Sequence, residues 1–168
     1  MSASDASNAS RSPSDHLIRA EAQPDLERVV FVHQHNPGAV RHTVCLTEAL
    51  GFEDMGVHLV TVKAGDDSSE LHSHEEDEEF VYILHGSATA HIGDESFEVG
   101  PGDFMAFPKH SPAHFMHNPG PEDLHYLVGG TRAPIDICNY PRKGLRQFRV
   151  HGRREFTETS KLTQLDPR

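Results

Sequence analysis

Two histidines one residue apart, His72-Ser73-His74, stand at the head of the acidic run Glu75-Glu76-Asp77-Glu78-Glu79. Side chains of an extended chain alternate between faces, so His72 and His74 point the same way. Two imidazoles on one face make half of a divalent-metal site without distorting the backbone. A carboxylate brought round by a short loop can supply a third donor. Strand parity does not choose that carboxylate: Glu79 shares a face with Val81 and Ile83, Glu78 shares one with Phe80 and Tyr82, and both faces are apolar. Further on, Pro108-Lys-His110-Ser-Pro-Ala-His114-Phe-Met-His117-Asn118 offers more imidazoles. Parity sets His114, Met116 and Asn118 on one face and His117 on the other, which favours His114 and leaves His110 and His117 as rivals.

The elements that must position these residues are strands. Short β-type runs fall at 29–32, 42–46, 56–63, 79–84, 87–92, 96–99, 104–107, 113–118, 124–128 and 135–138. Turn signals such as Ala64-Gly65-Asp66, His85-Gly86, Gly93-Asp94 and Gly100-Pro101-Gly102-Asp103 separate them. Many short strands with such turns predict an all-β sandwich or barrel. Thr47-Glu-Ala-Leu50, closed by Gly51, predicts one helical turn. No repeat is present.

Composition sets the limits. The chain has 168 residues, enough for one domain with a sizeable core. Its formal net charge of -11 argues against a general affinity for nucleic acid or anionic membranes. No apolar run approaches the roughly 20 residues that span a bilayer. Cys45 and Cys138 are the only cysteines, which excludes a disulfide scaffold and a cysteine-rich zinc module. Histidine, at 14 residues, is several times ordinary usage and is not gathered in a tag-like tract. Most of these, among them His33, His35, His42, His85, His91 and His125, have no ligand spacing.

Residues 1 to about 24 are rich in Ser, Ala and Asp, without apolar periodicity, and are expected to be unstructured. They carry no secretory pattern, so the expected compartment is the cytoplasm. The barrel is expected over 26–140. Beyond it, 141–168 reads as a basic arm, with Arg142, Lys143, Arg146, Arg149, Arg153 and Arg154 uninterrupted by any acid. Residues 1–141 hold 7 basic and 23 acidic residues, a net of -16. The arm could clasp its own domain or a partner subunit. The acids at 75–78 are expected to form a solvated loop at the barrel mouth, or else an electrostatic gate against anions.

The stretch His72-Ser-His74-Glu-Glu-Asp-Glu-Glu79-Phe-Val-Tyr-Ile-Leu-His-Gly86 resembles the first motif of the cupin family, which runs glycine, His-x-His, three or four residues, Glu, six residues, Gly. That spacing selects Glu79, since Glu78 would leave seven residues before Gly86. Six residues separate Gly65 from His72, where the usual pattern has five. The stretch 100–118 resembles the second motif: His114 and Asn118 keep its spacing, His110 stands at its glycine position, and one extra residue lies between Pro108 and His114. Residues 124–132 and 136–141 are similar to the tail of small bacterial cupins, some loosely labelled sugar-phosphate isomerase-like.

The resemblance implies a small double-sheet jelly-roll barrel, often dimeric, holding one divalent ion through His72, His74, Glu79 and His114. Such a donor set suits Fe, Mn, Zn, Ni or Co rather than calcium or magnesium. The expected function is a metal-dependent enzyme acting on a small chelating oxygenated substrate, with dioxygenase chemistry ahead of isomerase or lyase chemistry. Its catalytic residues are not identified by the sequence. The alternatives are a non-catalytic sensing cupin and a sugar-phosphate-isomerase-like protein. The expected assembly is a homodimer held by strands near the N-terminus and by the arm after Pro141, with neither nucleic acid nor membrane as partner.

Overall fold

Runs of β-branched and aromatic residues between Gly, Pro and Asp turns form thirteen antiparallel strands in the computed structural model, which describes residues 12–163 and 165. Six of them, β1 (Arg28–His33), β2 (Asn36–Cys45), β3 (Met55–Val62), β10 (Leu124–Thr131), β5 (Glu79–His85) and β8 (Phe104–Phe107), lie side by side in that order. Facing them is a three-stranded sheet of β7 (Glu95–Val99), β6 (Ala88–Ile92) and β9 (His114–His117). A four-stranded sheet orders β13 (Arg153–Glu158), β12 (Leu145–Val150), β11 (Ile135–Tyr140) and β4 (Ser73–His74). The expected helical turn is α1, Leu46–Ala49. No helix among the described residues is long and apolar enough to cross a membrane.

The core lies between the sheets, where Val60, Val62, Val81, Ile83, Ala90, Met116 and Leu124 are buried. Cross-strand pairs share a face, so Val81, Val128 and His58 form one inward row and Glu79, Gly130 and Gly56 the next. Gly86, which ends the first motif, has φ +78° and sits so close to β10 that a Cβ would lie 2.5 Å from the Asp123 carbonyl. Only glycine fits there.

Residues 1–11 of the expected unstructured tail lie outside the described residues. The remainder of that stretch forms two short 3-10 helices, Pro13–His16 and Ala20–Asp25, with no buried residue. The basic stretch after Tyr140 folds onto its own barrel. After a 3-10 turn at Pro141–Lys143, β12 pairs with β11 and β13 with β12. Arginines on both faces mask this strand pattern in the sequence, because the buried Gln147 and the apolar Leu145 and Phe156 share one face with Arg149 and Arg154.

Candidate metal centre

Backbone pairing brings the histidines together. His72 and His114 exchange hydrogen bonds, the His114 N–H donating to the His72 carbonyl at 2.8 Å and the reverse bond measuring 3.3 Å. Their rings therefore lie on one face, with centroids 4.8 Å apart. One residue later the chain changes partner, and His74 pairs with Cys138 of β11. Its ring stands 5.2 Å from that of His72. Glu79 opens β5 on the opposing sheet, and one donor atom from each of His72, His74 and Glu79 lies within 4.8 Å of the others. His114 Nε2 approaches Glu79 Oε1 to 3.6 Å, beyond hydrogen-bond reach. All the residues of the expected set thus meet in one place. The rivals do not join them: His110 Nδ1 pairs with Glu75 at 2.8 Å, and His117 Nδ1 with Asp67 at 2.8 Å on the other face of β9.

The orientation of the imidazoles is set by what holds their far nitrogens. Nδ1–H of His72 donates to the Glu70 carbonyl at 2.9 Å, and that of His114 to the Pro112 carbonyl at 3.2 Å. His74 Nδ1 bonds Asp136 Oδ2 at 2.7 Å. Each ring thereby turns Nε2 toward the others in the tautomer that binds a metal. Phe107 stacks on His114 at 3.5 Å and keeps its plane. His114 Nε2 is buried without a hydrogen-bond partner, an arrangement costly unless something binds there. Three nitrogens and one carboxylate at this spacing fit a transition ion with bonds of about 2 Å.

The charge states of His72 and Glu79 agree with that fit. Burial and the neighbouring His114 lower the pKa of His72 to about 3, so its imidazole is neutral and free to ligate at neutral pH. Burial works to raise Glu79, but the imidazoles of His114, His72 and His74 outweigh it and hold the carboxyl at about 2. Burial likewise opposes a charged His74, yet its pKa is raised by the Asp136 carboxylate.

Asp136 is 1% exposed and also accepts the Glu76 and Asp77 N–H groups at 3.0 and 3.2 Å. The acidic loop is therefore no free negative rim. Asp77 pairs with Arg149 at 2.6 Å, Glu76 with Lys109 at 2.9 Å, and Glu75 accepts from Asn139 at 2.8 Å. His110 adopts φ 62°, a left-handed conformation that explains the glycine usual at its position in the second motif.

A family described as Cupin domain matches residues 58–130. A candidate sugar phosphate isomerase from Acidithiobacillus ferrooxidans superposes with a TM-score of 0.88 at 35% identity, covering 91% of this chain and 98% of its own. The chain belongs to the cupin superfamily. A sugar phosphate isomerase from a cupin superfamily, from Silicibacter pomeroyi, is 28% identical with a TM-score of 0.76, covering 83% of this cupin and 94% of its own chain. A Thermotoga maritima protein proposed to be an oxalate decarboxylase shares the fold alone, at 19% identity and TM-score 0.56 over 65% of this chain and 95% of its own. No curated protein matches this cupin.

Several residues around the centre escape sequence reasoning. Asp136 and Arg149 reach the centre or its loop from positions far along the chain, and no spacing rule points to them. His58 lines a cleft of about 250 Å³ beside His74 and Glu79. Burial lowers its pKa, and its Nδ1 is buried without a partner. Its signal was available only as an inward position on β3. Gly56 makes room for it, since a Cβ there would stand 2.9 Å from both His58 Nε2 and Arg132 Nη2.

Proposed function

We propose that this cupin is a metal-dependent enzyme acting on a small chelating hydroxy-carbonyl compound, with sugar-phosphate isomerisation ahead of dioxygenase chemistry. The observation that carries it is the shared orientation of His72, His74 and His114, each giving its Nδ1 away and turning Nε2 inward beside Glu79. The residues that would hold the ion are these three histidines and Glu79, with Fe, Mn, Zn, Ni or Co as the candidate ions. When bound, the ion supplies Lewis-acid activation of the substrate carbonyl and its neighbouring hydroxyl. Isomerase chemistry moves ahead of the dioxygenase expectation because the relatives at 35% and 28% identity are described as sugar phosphate isomerases.

The protein's own groups divide the remaining work. Glu79 committed to an ion is a poor base, so proton transfer between adjacent carbons falls to His58, kept neutral by burial in the same cleft. Phe107 and Val81 line the inner side of the site and exclude water from the reacting carbons. The test is solvent deuterium exchange into sugar phosphates by untagged protein of measured metal content. Exchange that His58→Gln abolishes without loss of metal supports the reading. Oxygen uptake with Fe(II) and no exchange favours the dioxygenase, and neither activity favours a sensing cupin.

We propose a homodimer joined through the outer face of the six-stranded sheet. Val30, Val32, Tyr82, Leu84 and Phe104 are exposed there, and β1 is a free edge. The arm after Pro141 is engaged with its own barrel and is left out of that interface. Light scattering should give twice the 18.7 kDa chain mass, and a monomer at high concentration would reject the dimer.

A further inference from the structure

The cleft beside the metal centre opens between β2 and β3 on one side and β12 and β13 on the other. Arg41, Arg132, Arg149 and Arg154 all line it, together with His74 and Glu79. Two of these cations are already matched: Arg132 lies 2.6 Å from Glu48 and Arg149 2.6 Å from Asp77. Arg41 and Arg154 have no carboxylate partner among the described residues. Arg41 is half-buried over the ring of Phe31, 5.0 Å from its centroid. The fields of both guanidinium groups reach the same phenol, Tyr140, where they oppose the rise in pKa that burial causes. Both line the one cleft from two different sheets, Arg41 on β2 and Arg154 on β13.

The acids of the cleft do not satisfy them. Asp77 is held by Arg149 and by the Ala133 N–H at 2.8 Å, and Glu79 faces the imidazoles. Glu78 stands exposed at the rim, with its N–H bonded to Thr131 Oγ1 at 2.8 Å. A half-buried cation without a counter-charge, as Arg41 is, costs free energy that an anionic ligand would recover, and the exposed Arg154 adds a second guanidinium at the mouth. Guanidinium forks match the oxygens of a tetrahedral dianion better than any point charge does.

We infer that the mouth of this cleft is a phosphate-monoester subsite, in which Arg41 of β2 and Arg154 of β13 hold the phosphate of a substrate whose other end reaches the metal centre. The inference rests on the proposed function only for what the phosphate is attached to. It also gives the C-terminal strands a role, since β12 and β13 carry one wall of the site.

The experiment titrates inorganic phosphate into the full chain at constant ionic strength, followed by phosphorus NMR line width. Arg154 is exposed on the last strand, so Arg154→Ala should fold normally; Arg41→Gln is the second variant. Each should weaken phosphate binding roughly tenfold or more, the worth of a charge-assisted contact. Arg153→Ala removes the same charge from the opposite face of β13, where Arg153 is 85% exposed, and should change binding less than about twofold. His74→Ala removes a metal ligand and should leave phosphate binding intact. Loss of binding in His74→Ala would place the phosphate on the metal and overturn the subsite. Equal loss in Arg153→Ala and Arg154→Ala would reduce it to general charge attraction and overturn it as well, and so would malonate binding as tightly as phosphate. A wild-type chain that holds no metal but binds phosphate through Arg154 would sink the proposed function and leave the subsite standing.

Discussion

Asp136, buried on β11, accepts a hydrogen bond from Nδ1–H of His74 at 2.7 Å and accepts the Glu76 and Asp77 N–H groups of the acidic loop. One carboxylate thus orients a metal-facing imidazole and shapes the loop leading to Glu79. Asp136→Asn keeps the shape and removes the charge. Metal affinity should fall by about 10- to 100-fold, the usual cost of losing such a support. Competition with a chelator of known affinity measures it, and an unchanged affinity would remove Asp136 from the site.

Ligand identity can be read from metal content alone. His74→Ala and Glu79→Gln should empty the site, whereas Glu78→Gln and His117→Ala should retain the ion, because Glu78 lies at the rim and His117 bonds Asp67 on the far face. Metal retained by His114→Ala but lost from His117→Ala would mean that the second motif is out of register.

The Arg149–Asp77 pair ties β12 to the acidic loop across 72 residues, with side chains only 17% and 9% exposed. Removing one partner leaves a buried charge unpaired. Arg149→Met should destabilise the chain by about 3–5 kcal/mol, and Asp77→Asn in the same chain should restore part of that loss. Urea unfolding of the single and double variants decides the point; a loss below about 1 kcal/mol would show the pair to be a screened surface contact.

Acid sensitivity should begin above the range of the carboxylates. Burial, followed by the nearby charge of His35, lowers the pKa of His33 from 6.5 to about 4. Between those values the unfolded chain binds a proton that the folded chain refuses, so stability falls as pH drops from 6.5 to about 4. The shift corresponds to a loss on the order of 3 kcal/mol. His33→Gln should flatten the slope of unfolding free energy against pH over this window, with the lowered His72 and His58 contributing to what remains. A slope identical to wild type would show that His33 is not the group responsible.

What the sequence by itself determined is whatever a local rule can carry. The two-residue period set strands and faces, so the common side of His72 and His74 and the inward turn of His114 were legible before any contact was known. Parity alone left Glu78 and Glu79 tied, and family spacing was needed to separate them. Tertiary structure decided what depends on residues far apart in the chain. The strands β12 and β13 were obscured because two of their arginines, Arg149 and Arg154, line a cleft on the face that also carries Gln147 and Phe156. Asp136 became a support for His74 only when β11 paired with β4, 62 residues away. The bonds of Glu75, Glu76 and Asp77 to Asn139, Lys109 and Arg149 likewise made the run expected to be a solvated loop, or else a negative gate, into a matched loop beside a cationic cleft. Periodicity is a property of neighbours along the chain, whereas charge compensation and ligand orientation belong to neighbours in space.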